Sequence, residues 1–286
     1  MKISLKNQPS TLRQAPFDKL RTSQCAAVNR QQSTVNALYK TGKIACAIAL
    51  LSLCCTLVPT KPVKSQIPPT EIFNAPPPPP GLGAPGNRTA GGKRGCSVMT
   101  EQLATGEEKQ LTALVPVYGS ANPQVVFGLT TLSHPTFWFY VPYVTTANAE
   151  FSLQNEAGET VYKKPVSLSG KPGIIKLSVP STDYSLEIGK RYHWYLDIYC
   201  DPKQPPVYVD GWIKRVELNA SAKNQLNKAT LKQRAAIYGT NGIWFDYLNA
   251  SAELHRQEPK QNNWAKILQS VGLNNITSEP LIDCCN

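Results

Sequence analysis

The stretch RYHWYLDIYC, Arg191 to Cys200, decides how this sequence is read. Tyr192, Trp194, Leu196, Ile198 and Cys200 fall on one side of an extended chain, and His193, Tyr195, Asp197 and Tyr199 on the other. Successive side chains of a strand point to opposite faces, so this period of two predicts a half-buried strand. Working outward, similar short runs occupy Gln110–Val117, Val125–Thr130, Thr136–Tyr143, Ala149–Gln154, Glu159–Lys164, Gly173–Val179 and Val207–Leu218. They are β-branched or aromatic and are bounded by Pro, Gly, Asn and Asp. Asn155-Glu156-Ala157-Gly158 reads as a hairpin turn, and Gly211, which interrupts the alternation of the last run, predicts a bulge. No helical pattern intervenes. The expected fold is mainly β: an immunoglobulin-like antiparallel β-sandwich of about seven to eight strands over roughly residues 110–218.

After Leu218 the period lengthens. Ala222, Leu226, Ala229, Ala236 and Ile237 form one helical stripe, Ile243, Tyr247, Ala250 and Leu254 a second, and Trp264, Ile267, Leu268 and Val271 a third. Asn263 offers an N-cap to the third and Gly272 a stop. Helices this short need a partner surface. A C-terminal helical segment, about residues 219–272, is therefore expected to pack on the sandwich.

The formal charge of +11 is unevenly placed. Residues 1–65 carry ten Lys and Arg against Asp18 alone, whereas the other 221 residues carry 20 against 18 acidic groups. The basic character belongs to the leader, and the folded part has no charge argument for nucleic acid. Ile44–Val58 is an apolar run of 15 residues behind Lys40 and Lys43. It is shorter than the roughly 20 residues of a spanning helix and fits the apolar core of a signal peptide. Val63-Lys64-Ser65 suits cleavage after Ser65. The long basic region before it leaves retention as an N-terminal membrane tether open, and Leu51-Ser52-Leu53-Cys54 a lipobox reading. Residues 66–95, with Pro76–Pro80 continuous and six glycines from Gly81 to Gly95, are expected to be a disordered Pro/Gly-rich linker. The chain is thus expected to be exported to the periplasm, cell surface or medium.

Cys25, Cys46, Cys54 and Cys55 lie in the leader, and Cys96, Cys200, Cys284 and Cys285 in the exported part. In an oxidising compartment the latter four predict two disulfides. Neighbouring Cα atoms stand ~3.8 Å apart, below the roughly 4.4–6.8 Å usual for a disulfide. That sets aside a Cys284–Cys285 bond, and with it Cys96–Cys200. Two pairings remain, each tying the Cys284-Cys285 tail to Cys96 and Cys200. The spacing does not suit zinc.

Catalytic signatures are missing: there is no G-x-S-x-G, H-E-x-x-H or P-loop pattern, and no cofactor or metal motif. Four N-x-[ST] sequons stand at Asn87, Asn219, Asn249 and Asn275. HPTFWFYVP, His134–Pro142, is apolar on both faces and reads first as a doubly buried strand, with Trp138 and Tyr140 as candidates for a ligand-facing subset. His193 and Asp197 share a strand face and, with Asp210 of the neighbouring strand, are the candidate acid/base pair. The sequence reading favours a non-catalytic module acting through contacts with an envelope protein or glycan. The alternatives are an envelope hydrolase using carboxylates or His193 with Asp197, and a carbohydrate-binding module with exposed aromatics.

GLTTLSHPTFWFYVPY, GKRYHWYLDIYC, VDGWIKRVEL, GIWFDYL and NNWAKILQSVGL with its following cysteine pair, in that order, resemble the exported family catalogued as domain of unknown function 928. The resemblance covers roughly residues 95–286. It implies a cyanobacterial source and an export signal, and it carries over no catalytic residue.

Overall fold

The computed structural model describes residues 73–82, 85–91, 96, 109–119, 124–144, 147–259 and 263–285. The leader, with Ile44–Val58, lies outside the described residues. Among those described, no helix is long and apolar enough to cross a membrane.

The strand runs condense into β1 (Thr112–Ala113), β2 (Val117–Tyr118), β3 (Val125–Thr130), β4 (Thr136–Val141), β5 (Asn148–Gln154), β6 (Thr160–Ser167), β7 (Gly173–Ser178), β8 (Arg191–Tyr199), β9 (Val207–Arg215) and β10 (Leu281–Ile282). They form a four-stranded sheet, β1-β4-β7-β10, and a six-stranded sheet, β2-β3-β9-β8-β5-β6. The run Gln110–Val117 is split because the chain changes sheets at Leu114–Pro116: β1 pairs with β4 and β2 with β3. The β5–β6 turn is the expected hairpin, with Asn155 Oδ1 accepting from the amides of Ala157 and Glu159 and Gly158 at φ 81°.

Two pairings correct the purely antiparallel expectation: β3 runs parallel to β9, and β10 parallel to β7. Each joins strands far apart in sequence, so no hairpin dictates their direction. The bulge expected at Gly211 is absent, since β8 and β9 stay in register from Arg191↔Lys214 to Ile198↔Val207. A register shift falls instead between β5 and β6 at Leu153/Gln154. Gly211 is needed for space: a Cβ there would stand 2.6 Å from Trp194 Cζ2 and 2.7 Å from Val126 Cγ1.

Between the sheets lies a layer of rings. Phe137 and Phe139 of β4 meet Phe151 of β5 (4.7 and 6.3 Å between centroids) and Trp194 of β8 (6.1 and 5.7 Å). Edge and tilted contacts of this kind suit the quadrupoles of the rings. The other face of β4 is covered too, where Trp138 meets Trp264 at 6.4 Å and Arg256 lies over its ring.

The helices are α1 (Ala220–Leu226), α2 (Leu231–Thr240), α3 (Trp244–Gln257) and α4 (Asn263–Ser270). The first stripe divides in two because Thr230 and Gln233 form a capping box that starts a new helix. Asn263 is the first helical residue of α4, and Gly272, at φ 75°, follows its last turn. Phe245 of α3 reaches Phe137 in the aromatic layer (5.1 Å), and the Trp244 indole donates to the Leu114 carbonyl (2.8 Å). Buried Asp246 ties the first turn of α3 to the end of β3. It accepts from the Thr130 hydroxyl (2.6 Å), the Thr131 amide (3.0 Å) and the Thr131 hydroxyl. Burial pushes its carboxyl up, and those three bonds pull it back.

The Pro/Gly segment expected to be disordered is docked where it is described. Phe73 packs edge-on to Trp244 (4.7 Å), and the Asn74 amide donates to Gly239. Arg191 donates to the carbonyls of Pro80 and Gly81, Thr89 bridges to Thr112, and Ala90 is buried. Composition misleads here because a proline run is already extended and loses little entropy on docking, so few contacts hold it.

The disulfides are also corrected. Cys96 pairs with Cys200, and Cys284 with Cys285. The Cα window that set this pairing aside describes cysteines on separate segments. Between neighbours, the left-handed backbone at Cys285 (φ 75°) turns the second side chain toward the first, with the Cα atoms 3.7 Å apart. The tail is therefore not clasped covalently to the sandwich. It is held by the β10–β7 ladder, by a Lys109–Glu279 ion pair and by Arg256–Asp283 at 2.9 Å. The Cys96–Cys200 bond spans 104 residues, a loop worth roughly 4–5 kcal/mol on the chain-entropy argument.

Two substitutions test this packing by urea denaturation. Gly211→Ala forces a methyl against Trp194 and Val126 and is expected to cost about 1–3 kcal/mol. Asp246→Ala strands the Thr130 and Thr131 donors and is expected to cost about 2–3 kcal/mol.

Candidate functional site

Strand alternation places the apolar side chains of β8 against the ring layer and leaves His193, Tyr195, Asp197 and Tyr199 on the outer face of the six-stranded sheet. The neighbouring strands add Tyr208, Asp210 and Trp212 from β9 and Glu150 from β5, because the register sets Tyr195 opposite Asp210, Asp197 opposite Tyr208 and Glu150 opposite Asp197. Lys163 of β6 pairs with Glu150 at 2.8 Å. One connected patch of acids and phenols results.

At one end of the patch is a buried relay. His193 Nε2 is 2.7 Å from Asp210 Oδ2, and Nδ1 is 2.8 Å from the Tyr195 hydroxyl. The imidazole stacks on Trp212 with centroids 4.4 Å apart. Asp210 Oδ1 accepts from both the backbone amide and the side-chain amide of Asn87, each at 2.9 Å. Both ring nitrogens of His193 are thus engaged, and the relay braces the docked Pro/Gly segment against β9. His193 and Asp197 do not meet. Four residues apart on one extended strand, they stand ~13 Å from each other, so the expected acid/base pair is replaced by His193 with Asp210.

Asp197 lies in a different setting. Its carboxyl is pushed up to about 6, first by burial and then by the charges of Glu150 and Asp210, with Lys163 opposing. Burial together with Asp210 and Asp197 raises the Tyr195 phenol, and burial together with Asp197 and Glu150 raises that of Tyr199. Tyr195, Asp197, Tyr208 and Glu150 are half-buried, and Tyr199 is 40% exposed. Two carboxylates directly opposite on a sheet repel each other. Lys163, paired with Glu150, offsets part of that repulsion.

The other candidates fall elsewhere. Trp138 and Tyr140 are 1% and 3% exposed, Trp138 packed against Trp264 of α4 and Tyr140 bonded to Glu279, so both are buried in the fold. All five tryptophans, Trp138, Trp194, Trp212, Trp244 and Trp264, are buried, which removes the platform of exposed indoles. Among the described residues, no group of three or more His, Cys, Asp or Glu is placed to hold a metal ion. Sequence reasoning missed Asn87, which stood in the supposed linker, and Glu150, whose partner is set by the β5–β8 register. The only sequence signal for Glu150 was its outward position in an alternating strand.

A family model described as Domain of Unknown Function (DUF928) matches residues 89–281. No curated protein matches the chain. The crystal structure of a glycosyl hydrolase family 2 (GH2) member from Bacteroides cellulosilyticus DSM 14838 shows 13% identity and a TM-score of 0.22, covering 59% of this chain and 30% of that one. So low a likeness carries no argument about fold or activity. The family match runs from the docked segment through both sheets and the helices to β10, and the chain belongs to the DUF928 family.

Proposed function

We propose that this chain is an exported, non-catalytic binding module of the cell envelope or secreted space, and that the outer face of its six-stranded sheet takes a basic segment of a partner protein. The observation that carries this is Asp197, a half-buried carboxyl opposite Glu150 and near Asp210, with Lys163 of β6 as the cation beside it. A further cation brought between the carboxylates would offset their mutual repulsion. The flanking rings of Tyr195, Tyr199 and Tyr208 supply faces that attract Lys or Arg. The free edge of the same sheet is a poor alternative for a partner strand. β6 there carries Lys163, Lys164 and Pro165, residues that block strand addition. The apolar run Ile44–Val58 behind Lys40 and Lys43, read as an export leader, is what supports a setting outside the cytoplasm.

The test is titration of the exported chain with a labelled Lys/Arg-rich peptide, followed by anisotropy, beside a neutral peptide and envelope glycans. Only the basic peptide is expected to bind. Its affinity should fall with salt and drop about tenfold or more in Asp197→Asn and in Glu150→Gln. Affinity should also be higher at pH 7.5 than at pH 5, because Asp197 carries its charge only above about 6. Binding of a glycan alone, or basic-peptide binding indifferent to both substitutions, would overturn the reading.

The same carboxyl makes a stability prediction of definite sign. Its folded pKa is raised above the unfolded value of roughly 3.9, so the folded state holds the proton more tightly and this contribution is lost as pH rises through about 6. Asp197→Asn should therefore melt a few degrees higher than the parent at pH 7.5. The two should converge near pH 4. Solvent screening at this half-buried position keeps the gain small.

A further inference from the structure

The Cys284–Cys285 bond does not do what disulfides ordinarily do. With a sequence separation of 1, it closes no loop and ties no two parts of the fold together. On the chain-entropy argument the stabilisation grows with loop length, so a bond between neighbours contributes least. The Cys96–Cys200 bond already supplies a long-range link, and its Cys96 end is 4% exposed. Cys285 also holds a left-handed backbone, φ 75°, and no other non-glycine residue among those described does so. A residue kept in that region marks a local constraint of the kind that gathers at chemically active places.

The surroundings suit sulfur chemistry. Both cysteines are half-buried and line an open cavity of about 350 Å³ together with Ile282, Asp283, Lys176 and Arg256. Two cations thus share the cavity with the two sulfurs. Lys176 pairs with Glu253 at 3.1 Å. Arg256 lies over the Trp138 ring and pairs with Asp283 at 2.9 Å, and the Asp283 side chain is 90% exposed, so solvent screens that pair. Cations beside a cysteine favour its thiolate, which is both the leaving group and the nucleophile of exchange.

We propose that the Cys284–Cys285 pair is a site of thiol–disulfide exchange with a dithiol partner. A thiolate of the donor attacks the Sγ of one cysteine, the bond between the pair breaks, and the other cysteine leaves as a thiolate stabilised by Arg256 and Lys176. The donor's second thiolate then attacks its own sulfur in the mixed disulfide and releases the first cysteine. Two electrons and two protons pass from the donor dithiol, which becomes a disulfide, to the pair, which becomes two thiols. The Cys96–Cys200 bond takes no part. The chemistry lies at β10 beside α3, away from the acidic face of the six-stranded sheet, and is independent of binding there.

The experiment uses the exported chain purified without reductant and equilibrated with reduced and oxidised dithiothreitol in defined ratios. Free thiols are alkylated, and peptides are quantified by mass spectrometry while near-UV circular dichroism monitors the fold. The expected result is reduction of Cys284–Cys285 in the folded protein at a dithiol-to-disulfide ratio at least a hundredfold lower than Cys96–Cys200 requires. Arg256→Gln and Lys176→Gln should each slow the exchange at pH 7, by roughly tenfold, with the Cys96–Cys200 bond unchanged; because Arg256→Gln also removes the Asp283 pair that helps hold the tail, Lys176→Gln is the variant expected to leave near-UV circular dichroism unaltered. Reduction of both bonds together, only as the fold is lost, would overturn the proposal. So would peptides joining Cys284 or Cys285 to Cys96 or Cys200. Rates unaltered in both variants would overturn the role given to the cations.

Discussion

Trp194 fits in the middle of the sandwich because the residue opposite it on β9, Gly211, has no side chain. That vacancy lets the indole sit over the neighbouring backbone and meet Phe139 in a T-shaped contact and Phe137 in a tilted one. The spacing of the two sheets follows, since the Phe137, Phe139, Phe151 and Trp194 rings fill the gap between them. A packed interior tolerates little change of volume. The same layer fixes where α3 enters, because Phe245 completes it from the side and is admitted by another missing side chain, at Gly128.

From that layer outward the structure is a series of attachments, each made by a polar group at the end of an apolar element. Asp246 fastens α3 to β3, the Trp244 indole fastens it to the sheet-changing turn at Leu114, and Asp210 fastens the segment around Asn87 to β9. His193 belongs to this class. Its ring is held on one side by Asp210, on the other by Tyr195 and from above by Trp212, and so its orientation is fixed. A histidine in that state organises its neighbours, whereas a general base must offer a free nitrogen to substrate. Asp197, four residues along the same face, has the opposite character, with its charge opposed first by burial and then by Glu150 and Asp210.

Much of the fold could be read from the sequence because period two and period 3.6 are local properties. RYHWYLDIYC showed which face of β8 is buried, and TFWFYV was read as covered on both faces. What escaped depends on pairings between distant residues. Nothing near Val125–Thr130 records that its partner is β9 or that the two run parallel. The partners within the candidate site were hidden for the same reason. The residue types were visible, but only the β8–β9 register decides that His193 reaches Asp210 and that Asp197 faces Glu150. The docking of residues 73–82 and 85–91, the described parts of the expected linker, was hidden for a different reason, since composition measures how much surface can be buried and takes no account of how little entropy a proline run has to lose.

The cysteines show how a sound rule can mislead when its premise is unstated. Cα separation limits a disulfide because two independent backbones fix where the Cβ atoms point. Adjacent residues share one backbone, and a single left-handed φ re-aims one of them. Once that pairing is possible, the two bonds divide their tasks by chain length. Cys96–Cys200 spans a long loop and restrains the unfolded chain, with its Cys96 end buried. Cys284–Cys285 spans nothing and is half-buried beside two cations. Stability therefore gives a reason for the first bond and none of comparable size for the second. A bond whose making or breaking leaves the rest of the fold in place is suited to being made and broken.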